Sequence, residues 1–306
     1  MDEMLLVTDD LSKVYKKVTA VNSVNLHIKK GTIYGLIGKN GAGKTTIMKM
    51  ITGMALPTSG SFKYSGFEGD QRDAYSRIGA LIEAPAVLPN LSAYDNIKLK
   101  CLAYGVGDDQ YIKEKLELVG LGAVAKRKAG KFSLGMKQRL GIALALVGEP
   151  DFLVLDEPIN GLDPQGIVEI REMLIKLNEE KGITILISSH ILEELAKIAK
   201  DYAIINEGEI IEESTLEELK LKCRDKIVIK ANNTSPIIPV LDSNGFKDYQ
   251  AIDDRTIYIF ERLGDISSLN MEIAKAGIPV ESIGVQSSDL EEYFIKLTGT
   301  SAGGLK

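Results

Sequence analysis

The sequence predicts an α/β fold in which a parallel sheet is covered by helices, with a short antiparallel β-region before it and a second, smaller α+β domain after it. Three patterns lead there. Short, almost wholly apolar runs, TIYGLIG, FLVLDEP and ITILISSH, alternate with helical periodicity such as GIVEIREMLIKLNEE. Strands with no polar face are buried on both sides, which requires helices above and below the sheet. Ahead of them, residues 4 to 30 alternate apolar and polar side chains, the period of half-buried antiparallel strands. After STLEELKLKCRD the pattern resets to a new set of strands and helices. A chain of 306 residues has the length for two such domains.

Taken in order, the antiparallel region is clearest at Val24-Asn25-Leu26-His27-Ile28, where His27 falls on the polar side as a solvated strand residue. The buried runs begin after Gly31. Between about residues 90 and 148 no comparable buried strand occurs, and the pattern is helical, which marks a separate helical lobe inside a first domain of residues 1–224. From 225 to 300, KIVIK, TIYIF and VESIGV read as strands, and ISSLNMEIAKAG and SSDLEEYFIKLTG as helices, the last opening with Ser288 and Glu291 at capping-box spacing. This order suggests a small α+β domain of ferredoxin-like type. The tail, 301–306, is expected to fray.

Composition removes several function classes. A net charge of -6 argues against a broad nucleic-acid footprint, because neutralising phosphates takes a basic face. The two cysteines, Cys101 and Cys223, and the two histidines, His27 and His190, are far apart, so neither a disulfide framework nor a metal spacing is present, which fits a reducing compartment. The start MDEMLLVTDD lacks the basic and apolar regions of a signal peptide. No run of about 18 apolar residues occurs, so a soluble chain is expected and a membrane role must come through a partner.

Chemistry enters at GKNGAGKT, Gly38 to Thr45, between a buried strand and a helix. This is the full P-loop pattern. Gly38, Gly41 and Gly43, with Asn40 between them, let backbone N–H groups curl around phosphate oxygens, and Thr46 continues the helix N-terminus. Lys44 is placed to reach the β- and γ-phosphates of ATP, and Thr45 to ligate Mg²⁺. FLVLDEP supplies the second half: Asp156 suits Mg²⁺ through water, and Glu157 suits orienting and deprotonating an attacking water. Ser133 and Gly135, in FSLGMKQRLGIALAL, stand where another helix begins and form a further anion site. One triphosphate does not need two such sites.

The order P-loop, FSLGMKQR, FLVLDEP, NGLD and ISSH resembles the ATP-binding subunits of ABC transporters over about residues 4 to 220. That resemblance implies that the signature motif of one subunit caps ATP held by the P-loop of a second copy, which accounts for the surplus site. It gives Tyr15 the role of the aromatic stacked on adenine, Asp163 that of the acid in the loop crossing the dimer, and His190 that of the switch histidine beside the γ-phosphate and water. Two departures stand out. The usual Leu-Ser-Gly-Gly-Gln is Phe132-Ser133-Leu134-Gly135-Met136, which loses one glycine and the glutamine but keeps the expected phosphate contacts. The glutamine that meets Mg²⁺ and water ahead of the helical lobe is Glu83, in ALIEAPAVLPNLS. This acidic loop resembles ATPases of bacitracin-type resistance and lantibiotic self-protection exporters.

The expectation is therefore an ATPase that dimerises on MgATP at the cytoplasmic membrane face and powers a separately encoded permease exporting a peptide antibiotic. Two alternatives stay open: a non-transport clamp or translation factor, and an importer ATPase. The former class usually carries two ATPase units or a long coiled coil between P-loop and signature, and this chain has neither. The C-terminal domain resembles the regulatory appendage of some exporter ATPases, and a purely stabilising role is equally open.

Overall fold

The computed structural model describes residues 3–65, 74–286 and 290–299. The chain divides into two compact units, Met1–Leu216 and Glu217–Lys306. The boundary expected after residue 224 thus falls inside the second unit. The apolar pattern of LEELKLK identifies a helix without saying which core that helix serves.

The first unit opens with β1 (Met4–Tyr15), β2 (Val18–Val24) and β3 (His27–Lys29), continues through β4 (Ile33–Ile37), α1 (Lys44–Ile51) and β5 (Ser59–Tyr64), and reaches β6 (Ile78–Leu81). β1 pairs antiparallel with β2, β3 and β5. The alternating residues bury one face: Leu6, Leu11, Leu26 and Ile28 pack in one core with Ile47, Met48 and Ile51 of α1. His27 stays exposed, its Nδ1 2.9 Å from the Glu213 carboxylate.

The helical lobe follows as α2 (Ala93–Tyr104), α3 (Asp109–Leu118) and α4 (Leu134–Ala145). Its helices have local start signals: Ser92 accepts from the Asp95 N–H and Asp108 from the Tyr111 N–H, each satisfying an otherwise unpartnered donor of a first turn. The chain then alternates β7 (Phe152–Leu155), α5 (Pro164–Lys181), β8 (Thr184–Ser189), the short α6 (Leu192–Leu195), β9 (Asp201–Asn206) and β10 (Glu209–Thr215). Every residue of β4, β7 and β8 is buried, as the apolar runs require. These strands form a sheet of order β10-β9-β4-β8-β7-β6. Its pairs from β9 to β6 are parallel, and only β10 runs antiparallel, against β9. Consequently β6, β4, β7 and β8 all end on one edge of the sheet, where ligand sites of open α/β sheets lie.

The second unit contains α7 (Leu216–Lys222, from its second residue on), β11 (Lys226–Lys230), α8 (Ile237–Ser243), β12 (Tyr249–Asp253), β13 (Thr256–Ile259), α9 (Ile266–Lys275), β14 (Ser282–Gln286) and α10 (Leu290–Leu297). The order βαββαβ and the antiparallel sheet β12-β13-β11-β14 are the ferredoxin-like arrangement. β12 and α8 were not expected from the sequence. A separate core of Ile227, Ile229, Ile237, Leu241, Ile257, Ile259, Leu269 and Ile273 closes it. Ser288, read as a cap of the last helix, and the tail from 301 lie outside the described residues. Among the described residues no helix is long and apolar enough to cross a membrane.

Candidate active site

The loop between β4 and α1 is shaped by its glycines. Gly43 has φ +111°, and a Cβ there would come within 2.7 Å of the Ala20 carbonyl oxygen, so both conformation and close approach demand glycine. The turn brings Lys44 back over its own loop: the ammonium donates to the Gly38 carbonyl at 2.5 Å and to the Lys39 carbonyl at 3.1 Å. α1 starts at that lysine, so its first N–H groups, which have no partners within the helix, face the cradle with the positive end of the helix dipole. The recess, about 160 Å³, is lined by Asn40, Gly41, Gly43, Lys44, Thr45, Thr46 and Glu157, with Lys39 and Ala20. Six of the seven residues expected from Gly38 to Thr46, all but Gly38, are in contact with one space, as is the acid from β7.

The end of β7 supplies two carboxylates with different surroundings. Asp156 is buried; its two oxygens accept from the Thr45 hydroxyl at 2.7 Å and the Ser188 hydroxyl at 2.7 Å. Glu157, in the left-handed region at φ +48°, turns its side chain to Lys44 and His190. Its Oε2 is 2.9 Å from His190 Nδ1, and its Oε1 is 3.1 Å from the Lys44 ammonium. The ammonium lies out of hydrogen-bond alignment, so this buried Oε1 has no hydrogen bond. It is an acceptor with no hydrogen bond, beside the Lys44 ammonium at the recess.

Ser188 is the residue the sequence reading missed. Besides donating to Asp156, its hydroxyl accepts from the Glu157 N–H at 2.9 Å, tying the two acids to β8. The signal was partly available: Ser188 lies near the end of β8, two residues before His190, which follows the strand's last residue.

Glu83 takes no part in this hydrogen-bond network. It lies two residues beyond β6 at φ +65°, its side chain 64% exposed, and its Oε1 is 2.5 Å from the Lys49 ammonium on α1. Tyr15 is exposed at the end of β1, with the Lys13 ammonium 5.0 Å from its ring centroid; it does not line the recess, and of the β1–β2 hairpin only Ala20 does. Ser133, Gly135 and Asp163 gather in a second recess of about 400 Å³ that shares no lining residue with the first. Ser133 and Asp163 also cap helices: Ser133 accepts from the Met136 N–H at 3.3 Å and Asp163 from the Gly166 N–H at 3.1 Å. Leu134 lies against Gly161 in this recess.

The donor set fits a hard cation. The Thr45 hydroxyl and an Asp156 oxygen meet at 2.7 Å, and Mg²⁺ binds through one or two carboxylates plus substrate phosphates and water. Among the described residues no group of three or more His, Cys, Asp or Glu could hold a metal without such help.

A glycine-rich loop of this pattern at the head of a helix, sharing its recess with the acid of a strand two places along the sheet, marks the P-loop class of nucleotide hydrolases. Residues 21–160 match the family described as ABC transporter. The chain is 40% identical over 299 residues to the bacitracin transport ATP-binding protein BcrA of Enterococcus faecalis, spanning 97% of each. It is 49% identical over 221 residues to the lantibiotic transport ATP-binding protein SrtF of Streptococcus pyogenes, spanning 70% of this chain and 95% of that one. Its fold matches the dimeric post-hydrolysis structure of the ATP-binding cassette MJ0796 bound to ADP and Pi, with a TM-score of 0.63 and 26% identity, over 69% of this chain and 99% of that one. The chain belongs to the ABC transporter family, as an ATP-binding subunit, and it is an ATPase. As such it works with a separate membrane permease.

Proposed function

We propose that two copies of this chain sandwich two MgATP molecules, and that their closure and hydrolysis drive a permease exporting a peptide antibiotic of the bacitracin type. The observation that carries the chemistry is the meeting of Lys44, Thr45, Asp156, Glu157 and His190 at the shared edge of β4, β7 and β8. Lys44 exchanges its loop carbonyls for the β- and γ-phosphates. Glu157 takes the proton of the attacking water on its spare Oε1, while His190 holds Oε2 and fixes the direction of attack. Thr45 and Asp156 would hold Mg²⁺, with Glu83 approaching from the end of β6; when bound, the ion neutralises charge developing on the phosphates. Ser133 and Gly135 of the second copy close over the γ-phosphate, Tyr15 stacks on adenine, and Asp163 sits where the copies cross.

The permease is read as docking on the helical lobe, which places the complex on the cytoplasmic face of the membrane. An apolar groove of about 290 Å³ between the loop after β6 and that lobe supports this, lined by Leu81, Ile82, Ala84, Leu88, Leu99 and Leu144 among others. The cargo class rests on likeness. The BcrA match runs through nearly the whole chain, whereas the SrtF match leaves out a share about the size of the second unit, which favours the bacitracin type. One ATPase unit with no long coiled coil between P-loop and signature speaks against a clamp or translation factor. The deciding experiment expresses the chain with its neighbouring permease in a bacitracin-sensitive host. Wild type should raise survival and Glu157→Gln should not, although both reach the membrane fraction. Equal survival of both hosts would defeat the transport reading.

A further inference from the structure

We infer that Lys49 is a positioning residue for Glu83, holding the acid of the loop after β6 in a neutralised pair until the nucleotide's metal is present. The inference rests on the reading of Glu83 as the loop acid that faces that metal. Lys49 follows Thr45 by four residues on α1, so its side chain lies on the same helix face, one turn beyond the hydroxyl read as a metal ligand. Its ammonium is 2.5 Å from Glu83 Oε1, and its side chain is only 30% exposed, against 64% for Glu83. The partners of the three acids differ in kind. Asp156 is held by two hydroxyls, Glu157 by Lys44 and His190, and Glu83 by a lysine that contributes to no other feature of the site.

The pairing answers an electrostatic problem. An acid where the resemblance implies an uncharged glutamine would repel a triphosphate arriving without its cation, because two like charges a few ångströms apart interact unfavourably even at a protein surface. With the Lys49 ammonium on its carboxylate, Glu83 meets metal-free ATP as part of a neutral pair. Lys49 and Mg²⁺ then compete for one carboxylate. The residue sets how strongly nucleotide binding depends on the metal.

Binding of a fluorescent ATP analogue to the full chain, in excess EDTA and in saturating Mg²⁺, tests this with wild type, K49Q, K49R, E83Q and K49Q/E83Q. K49Q should weaken metal-free binding by about two- to five-fold, the range that an exposed ion pair supplies, with a smaller change in Mg²⁺. K49R should behave as wild type. In the E83Q background, K49Q should have no further effect. A K49Q loss equal in both conditions, or one that persists beside E83Q, would show that Lys49 acts on the nucleotide or the helix directly, and the inference would fall. If E83Q itself leaves the ratio of the two affinities unchanged, the reading of Glu83 fails first, and the role of Lys49 goes with it.

Discussion

Ser188 shows how much of this site depends on one uncharged side chain. It is fully buried and bridges the Asp156 carboxylate and the Glu157 N–H. Ser188→Ala leaves a buried donor and a buried acceptor short of a partner, a loss of about 1–3 kcal/mol. Thermal unfolding should register that loss. Steady-state kinetics should show a lower kcat with little change in KM, because the substituted strand no longer fixes Glu157, the proposed proton acceptor, while the glycine-rich loop is untouched. Glu157→Gln is the sharper change. It should bind MgATP, hydrolyse it roughly 10²–10⁴ times more slowly, the usual worth of a general base, and accumulate as a dimer by light scattering. A monomer with undiminished turnover would remove both the base and the sandwich. The sequence disclosed Lys44, Thr45, Asp156, Glu157 and His190 because each sits in a contiguous motif. It did not disclose Ser188 or Lys49, whose importance lies in partners 32 and 34 residues away.

At the scale of elements, the helical lobe is joined to the sheet through β6, and one glycine sets the closeness of the join. A Cβ at Gly79 would lie 2.2 Å from the Ala145 carbonyl oxygen at the end of α4. Backbone cannot step aside as a side chain can, so Gly79→Ala should force strand and helix apart and destabilise the nucleotide-free protein by about 1–3 kcal/mol. A chemical denaturation midpoint that does not move would contradict this packing. Elements with an unmistakable face were legible in the sequence: β4, β7 and β8 as continuous apolar runs, β1 to β3 by alternation. β12 was missed because Tyr249–Asp253 forms a sheet edge with all but its first residue exposed, so no buried face writes an apolar period into it. α8 was missed because seven residues, IIPVLDS, are too few to display a helical period and include a proline.

At the scale of the whole molecule, the two units carry separate cores. A ferredoxin-like sheet with eight buried isoleucine and leucine side chains of its own should fold when residues 217–306 are expressed without the rest. Circular dichroism should then give a cooperative melt for that fragment. A fragment that stays unfolded would mean that the sheet depends on the first unit. The four loops of the site, by contrast, belong to one sheet edge, and none of them can be transplanted singly. What was legible at this scale was the sequence of patterns; where one unit ends was not, because a helix such as α7 looks the same whichever core it serves.

The left-handed backbone at Glu83 and Glu157 has a consequence for how this protein evolves. Each position holds a side chain where glycine or asparagine would rest more easily, at φ +65° and φ +48°, and each such residue stores about 1 kcal/mol or more of strain. Selection for heat resistance and selection for turnover therefore pull these two positions in opposite directions. A variant library screened only for survival of heating should drift toward glycine or asparagine at 83 and 157 and lose its ATPase as it hardens. One screened for turnover should keep both acids and recover its stability elsewhere.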